Sequence, residues 1–169
     1  MKYPSSSRTS PHATILFADD DADTREMMKA LLGFEGYDVI LASDGREAIE
    51  SARQTFPNLI LLDLELPRLN GISVAKNLKS DPRFKGTPII MLSGHNPATF
   101  RQQALDAGCD EYLLKPFDFH RIEELIERSR SVVKAEPQDG DTRLPDPEWY
   151  GTVRDAFSVL DDSQRPSKS

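Results

Sequence analysis

A single cysteine, Cys109, leaves this chain no partner for an intrachain disulfide and no Cys-rich cage for a metal, which fits a reducing compartment. No apolar run approaches the ~20 residues of a bilayer-spanning helix, and the opening MKYPSSSRTSPHA holds no apolar stretch of the signal-peptide kind. The expectation is a cytoplasmic protein without membrane insertion. Basic residues are the minority, 21 Lys and Arg against 28 Asp and Glu, for a formal charge of -7. Direct nucleic-acid binding is disfavoured, because such binders present a basic stripe that displaces counterions from phosphate. The three histidines, His12, His95 and His120, are scattered, and none is spaced to share a metal with Cys109 or with another histidine. Zinc is disfavoured on ligand count. Hydrophobic residues make up 38%, enough for one core but less than is usual, so part of the chain is expected to lie outside it.

Residues 1–13 are rich in Ser and Pro, include Lys2 and Arg8, and read as a disordered leader. From Thr14 to about Val133 short apolar runs alternate with amphipathic stretches. The runs are Ile15 to Ala18, Tyr37 to Leu41, Leu59 to Leu62, Ile89 to Leu92 and Tyr112 to Leu114, and each predicts a strand. Helical spacing links Met27, Met28, Leu31 and Leu32 in the first gap and Ala48, Ile49, Ala52 and Phe56 in the second. Gly33 and Gly36 punctuate the end of the first helix, and Ser43 or Asp44 caps the second. Three more helices are predicted over about 71–80, 98–107 and 118–133. Five strand-helix units of this length imply an α/β fold, a parallel sheet with helices on both faces, because parallel strands need crossover connections. LILL and IIML lack alternation, as strands buried on both sides do.

Ligands of such sheets bind beyond the carboxyl ends of the strands. There the sequence places Asp19, Asp20 and Asp21 after strand one, Asp63 after strand three, Ser93 after strand four, and Lys115 with Pro116 after strand five. Several carboxylates in one crevice repel unless a cation joins them, and an all-oxygen set suits a hard divalent ion such as Mg2+. Asp63 then supplies a nucleophilic carboxylate, Ser93 a hydroxyl donor and Lys115 a compact positive charge. That combination matches phosphoryl transfer to a carboxylate, where positioning and electrostatics provide most of the catalysis.

The segments ILFADDDADTREMM, PNLILLDLELPRLNG, PIIMLSG and AGCDEYLLKPF, in this order and at these intervals, resemble the receiver domain of two-component response regulators of the single-domain type. The resemblance covers residues 14–133 and implies a flavodoxin-like (βα)5 sheet of strand order 2-1-3-4-5. It implies that Asp63 is the phosphoacceptor, and that Asp19 and Asp20 place Mg2+, or Mn2+ in its stead, with Asp20 the direct ligand. It further implies a metal contact from the backbone carbonyl of Glu65, phosphoryl contacts from Ser93 and Lys115, a cis Lys115–Pro116 peptide, and Tyr112 as an aromatic switch working with Ser93. The donor would be a phosphohistidine on a sensor histidine kinase or a histidine phosphotransfer protein. The output would be a protein target at the face of the fourth helix, fifth strand and fifth helix, with a homodimer left open. The only reaction catalysed would be the protein's own Mg2+-dependent phosphorylation and dephosphorylation, not turnover of an external substrate.

Taken singly, Asp19 to Asp21 would serve as a helix-start charge cluster, Asp63 and Ser93 as turn residues, Lys115 as a surface lysine and Tyr112 as core. His95 reads as an exposed loop residue near the phosphoryl site, and Cys109 as a packed, unreactive thiol. Two positions depart from the family's commonest pattern: Glu65 sets a carboxylate two residues after Asp63, and Arg68 stands where glycine is common. Residues 134–147 read as a flexible linker, and Trp149, Val153, Phe157 and Leu160 recur at helical intervals, so a short amphipathic helix at about 148–160 is weighed against an unstructured tail. The 36 residues from Lys134 to Ser169 are too few for a second domain of ordinary size, so the chain reads as a stand-alone receiver. Two rival functions stay open: a phosphorylation-independent adaptor of the same fold, and a phosphohydrolase using Asp63 with Glu65 or His95 as its acid/base group.

Overall fold

The computed structural model describes residues 13–133. Apart from Ala13, the expected leader, the 134–147 linker and the 148–160 segment lie outside the described residues. Five strands, β1 (Thr14–Ala18), β2 (Asp38–Ala42), β3 (Leu59–Asp63), β4 (Ile89–Ser93) and β5 (Glu111–Leu114), alternate with five helices. The helices are α1 (Ala22–Phe34), α2 (Gly45–Thr55), α3 (Gly71–Lys79), α4 (Pro97–Asp106) and α5 (Phe119–Val133). The strands are parallel in the order β2-β1-β3-β4-β5, as the resemblance implied.

The sheet divides the core in two because successive side chains of a strand point to opposite faces. Ile15, Phe17, Leu59, Leu61, Ile90 and Leu92 meet Met28 and Leu32 of α1 and Ile122, Leu125 and Ile126 of α5. Leu16, Ala18, Ile60, Leu62, Ile89 and Met91 meet the small residues Ala48, Ala52, Val74, Ala75 and Ala104 of α2, α3 and α4. Every residue of β3 and β4 is buried, which explains the absence of alternation in their sequences. Cys109 is in this second layer, where burial pushes its thiol up to about 12, so it is packed and unreactive.

Side-chain caps set where the helices begin. Asp21, Asp44, Asn70 and Asn96 each accept a backbone N–H of the first turn of α1, α2, α3 and α4. Of the two candidates at α2 the cap is Asp44, while Ser43 donates its N–H and its hydroxyl to Glu47 at 2.7 Å. Gly33 does not end α1 but lies inside its last turn; the chain turns at Gly36, where φ is +85°. β2 starts one residue later than its apolar run suggested, because the N–H of Tyr37 closes back on Leu32 O at 3.1 Å. A 3-10 turn at Pro82–Phe84, capped by Asp81, was not anticipated.

Arg68 bears out the departure noted in the sequence, with φ of +65° in the left-handed region. Its guanidinium holds Asp44 at 3.2 Å, which ties the β3-α3 loop to the start of α2, although an ion pair with an arginine this exposed contributes at most about 1 kcal/mol. A non-glycine residue in this conformation costs about 1–2 kcal/mol, more when β-branched. Arg68→Val is therefore expected to be at least about 1 kcal/mol less stable than Arg68→Gly in urea titrations. Equal midpoints for the two would show that the loop relaxes out of this conformation.

Candidate functional site

β1, β3 and β5 end at the same rim, and each delivers a charged group there. Asp19 and Asp20 follow β1, Asp63 is the last residue of β3, and Lys115 follows β5. Carboxylate oxygens of Asp19, Asp20 and Asp63 lie within 4.8 Å of one another, and this is the only cluster of its kind among the described residues. Asp19 and Asp63 are buried, whereas Asp20 is exposed at the mouth. The Lys115 ammonium reaches across 96 residues of sequence to Asp19 Oδ2 at 2.7 Å and across 52 to Asp63 Oδ2 at 3.0 Å. Three carboxylates facing one ammonium leave two formal negative charges uncompensated, a match in sign and size for one divalent cation. The donor set is all oxygen, as Mg2+ or Mn2+ prefers.

Burial sets the electrostatics of Asp63. Desolvation lifts the Asp63 carboxyl above the ordinary carboxylate range, against the pull of its hydrogen bond and charge interaction with Lys115. For Lys115 burial works to lower the pKa, but the bonds to Asp19 and Asp63 outweigh it and hold the ammonium above its usual value, so it is fully charged. Asp63 Oδ1 also accepts the N–H of Glu65 at 3.2 Å.

Asp21, the third acidic residue of the run, takes the role of a helix cap instead. Its side chain accepts the Thr24 N–H at 2.6 Å, and that bond holds its carboxyl below the usual range. Arg25, one turn into α1, went unnoticed in the sequence. Its guanidinium donates to the carbonyls of Asp19 and Asp20 at 2.8 and 2.9 Å and so fixes the backbone that presents both carboxylates. The available signal was a basic residue four to six positions after the acidic run, which helical geometry turns back toward it.

Ser93 ends β4 and is fully buried, and strand register sets it one step beyond the pair formed by Asp63 and Leu92. Its hydroxyl accepts the N–H of His95 at 3.0 Å, while Tyr112, buried on β5, donates its hydroxyl to the carbonyl of the same His95 at 3.0 Å. The His95 imidazole in turn meets Glu65 at 2.9 Å and lies against Phe100. His95 is exposed in the loop after β4, as expected, and through these bonds it also connects the loops after β3 and β4 to the ring on β5. The Lys115–Pro116 peptide is cis.

A five-stranded parallel α/β sheet with an acidic triad and a lysine at its carboxyl rim defines the class. A family model of the response regulator receiver domain matches residues 15–127. The chain is 40% identical over 127 residues to the response regulator MprA of Mycolicibacterium vanbaalenii, covering 75% of this chain and 53% of that protein. It is 38% identical over 146 residues to the MprA of Mycobacterium ulcerans, with 86% and 58% covered. The chain thus spans a little over half the length of these relatives. Among solved structures, the chemotaxis response regulator CheY4 of Vibrio cholerae superposes with a TM-score of 0.65 at 30% identity, covering 70% of this chain and 98% of that one. The receiver domain of sensor histidine kinase PA1611 of Pseudomonas aeruginosa, solved with a magnesium ion coordinated in its active-site cleft, gives 0.66 at 30% identity, with 71% and 98% covered. This chain belongs to the response regulator receiver family.

Proposed function

We propose that Asp63 accepts a phosphoryl group from a phosphohistidine and that the modified rim signals through protein contacts. The observation that carries this reading is the Lys115 ammonium bonded at once to Asp19 and Asp63 inside the acidic triad. In the transfer an Asp63 oxygen forms a bond to phosphorus as the phosphorus–nitrogen bond of the donor breaks, and the imidazole leaves with the electron pair. Lys115 would meet the negative charge on one phosphoryl oxygen, and the Ser93 hydroxyl would donate to another. Asp20, Asp63 and the Glu65 carbonyl would hold Mg2+ or Mn2+, with Asp19 aligning the set. The bound ion would supply the charge neutralisation that lets a phosphoryl group approach these carboxylates.

Drawing the Ser93 hydroxyl toward a phosphoryl group competes with its bond to the His95 N–H, and Tyr112 holds the other side of that residue. The change therefore reaches β5 directly. On β5, Glu111 stands 3.9 Å from Arg101 of α4 and 3.8 Å from Arg121 of α5, so the α4-β5-α5 face responds as a unit. A downstream protein, or a second copy of the chain, would read that face by its different affinity for the two states. The donor would be a sensor histidine kinase or a histidine phosphotransfer protein in the cytoplasm. Among the described residues no helix is long and apolar enough to cross a membrane.

Incubation of the full chain with a small phosphodonor and Mg2+ is expected to add one phosphate by intact mass, and chelation of the metal to prevent it. No adduct, or the same adduct without metal, would refute the reading. The Glu65–His95 pair bridges the solvent side of the site. His95→Ala opens that bridge to water and is expected to shorten the half-life of the phosphorylated form severalfold, followed by loss of the adduct after the donor is removed. An unchanged half-life would take the pair out of the mechanism.

A further inference from the structure

α1 is apolar on two sides, and among the described residues only one of them is packed. Met28 and Leu32 are buried against the sheet, while Met27, Leu31 and Phe34 are 53%, 39% and 90% exposed. Intervals of four and three residues set these three side chains in one stripe along the helix. They are three of the five large exposed hydrophobics among the described residues. Of the other two, Phe56 stacks on Phe84 at 5.6 Å and Leu114 lies on β5, so neither forms a patch with them.

The chain itself carries a matching segment. Trp149, Val153, Phe157 and Leu160 recur at intervals of four, four and three, beyond a stretch dominated by Pro, Asp and Gly. The connection is short enough. Tyr37, three residues past the end of α1, donates its hydroxyl to Glu127 of α5 at 3.3 Å, so α5 passes near the chain that leaves the Phe34 end of the helix. Six residues further, about 9 Å of helix, α5 reaches Val133. The 15 residues between Val133 and Trp149 span up to ~50 Å, several times the ~10 Å length of the stripe. Tethering at that range sets a millimolar-scale local concentration, which favours a segment of the same chain over a free competitor.

We infer that residues 149–160 dock on the Met27, Leu31 and Phe34 stripe of their own chain. Trp149 is the only tryptophan and reports on this directly. In the full chain its emission is expected to be blue-shifted and protected from acrylamide. Phe34→Ser is expected to raise the quenching constant severalfold at an unchanged melting temperature. Phe157→Ser combined with Leu160→Ser, which leaves the packed domain untouched, is expected to have the same effect. Quenching like that of free indole, or protection that neither variant alters, would overturn the inference. So would protection that grows with protein concentration together with a dimer mass, since the occupant would then be a second copy. Phosphate incorporation from a small donor, measured in the same samples, stays at the wild-type level in both variants and separates failure of this inference from failure of the phosphoacceptor reading.

Discussion

Asp63→Asn is expected to abolish metal-dependent phosphate incorporation while raising the stability of the metal-free protein. The first effect follows from chemistry: an amide is no nucleophile toward phosphorus, and no other carboxylate in the triad is bonded to Lys115 from the end of β3. The second follows from the titration of the buried group. Burial holds the Asp63 carboxyl above the ordinary carboxylate range. A carboxyl with a raised folded-state pKa adds most to stability below its unfolded value of ~3.9, and that contribution is lost as pH rises through the folded value. At neutral pH the ionised group therefore opposes folding, and an amide does not. Asp63→Asn should melt above the wild type in chelator, with a gap that closes toward pH 4 and narrows when Mg2+ is added. A variant that still gains one phosphate, or that melts below the wild type at pH 7 in chelator, would contradict this account of the rim.

The second large effect belongs to two glycines that clamp the loop after Asp63. Gly45 opens α2 and donates its N–H to Pro67 O at 3.2 Å, and Gly71 opens α3 and donates to Leu64 O at 2.9 Å. A Cβ on Gly45 would overlap the carbonyl of Leu69, and one on Gly71 would overlap the carbonyl of Asp63 and stand 2.9 Å from Met91 Sδ. Alanine in place of helical glycine ordinarily helps by about 1 kcal/mol, but a backbone overlap inside a packed core outweighs that. Gly45→Ala and Gly71→Ala are each expected to cost about 3 kcal/mol, roughly 10 °C in melting temperature. Gly71→Ala should also slow phosphorylation, because its displaced partner is the backbone of Asp63, the proposed acceptor. Gly94→Ala, with nothing within 4 Å of the added carbon, is the control and should stay within about 0.5 kcal/mol of the wild type. Wild-type melting of Gly45→Ala would show that the loop yields freely.

The sheet was legible because its strands declare themselves locally. LILL and IIML are too apolar for any but doubly buried strands, and the residue after each such run falls at the rim by topology alone. The split of Asp19 and Asp20 from Asp21 came with the family resemblance, but the cap that Asp21 forms was not legible in the run itself. Asp19, Asp20 and Asp21 look alike as neighbours, and only the direction in which α1 departs sends Asp21 to the Thr24 N–H. The parts played by Arg25 and His95 were hidden for the same reason, since Arg25 bonds the carbonyls of Asp19 and Asp20 and His95 is held through its own N–H and carbonyl, and a sequence does not display backbone bonds. Arg68 was flagged as unusual by comparison with glycine, yet its ion pair with Asp44 joins two loops and could be found only in three dimensions.

The central claim is that one divalent ion and one phosphoryl group share a single rim. A crystal structure of the full chain grown with Mg2+ and beryllium trifluoride, a phosphoryl mimic that attaches to carboxylates, tests it most directly. The account predicts the mimic on Asp63, the ion on Asp20, Asp63 and the Glu65 carbonyl, and both Lys115 and Ser93 on fluorine atoms. A mimic on any other side chain, or an ion that leaves Asp20 and Asp63 facing apart, would contradict it.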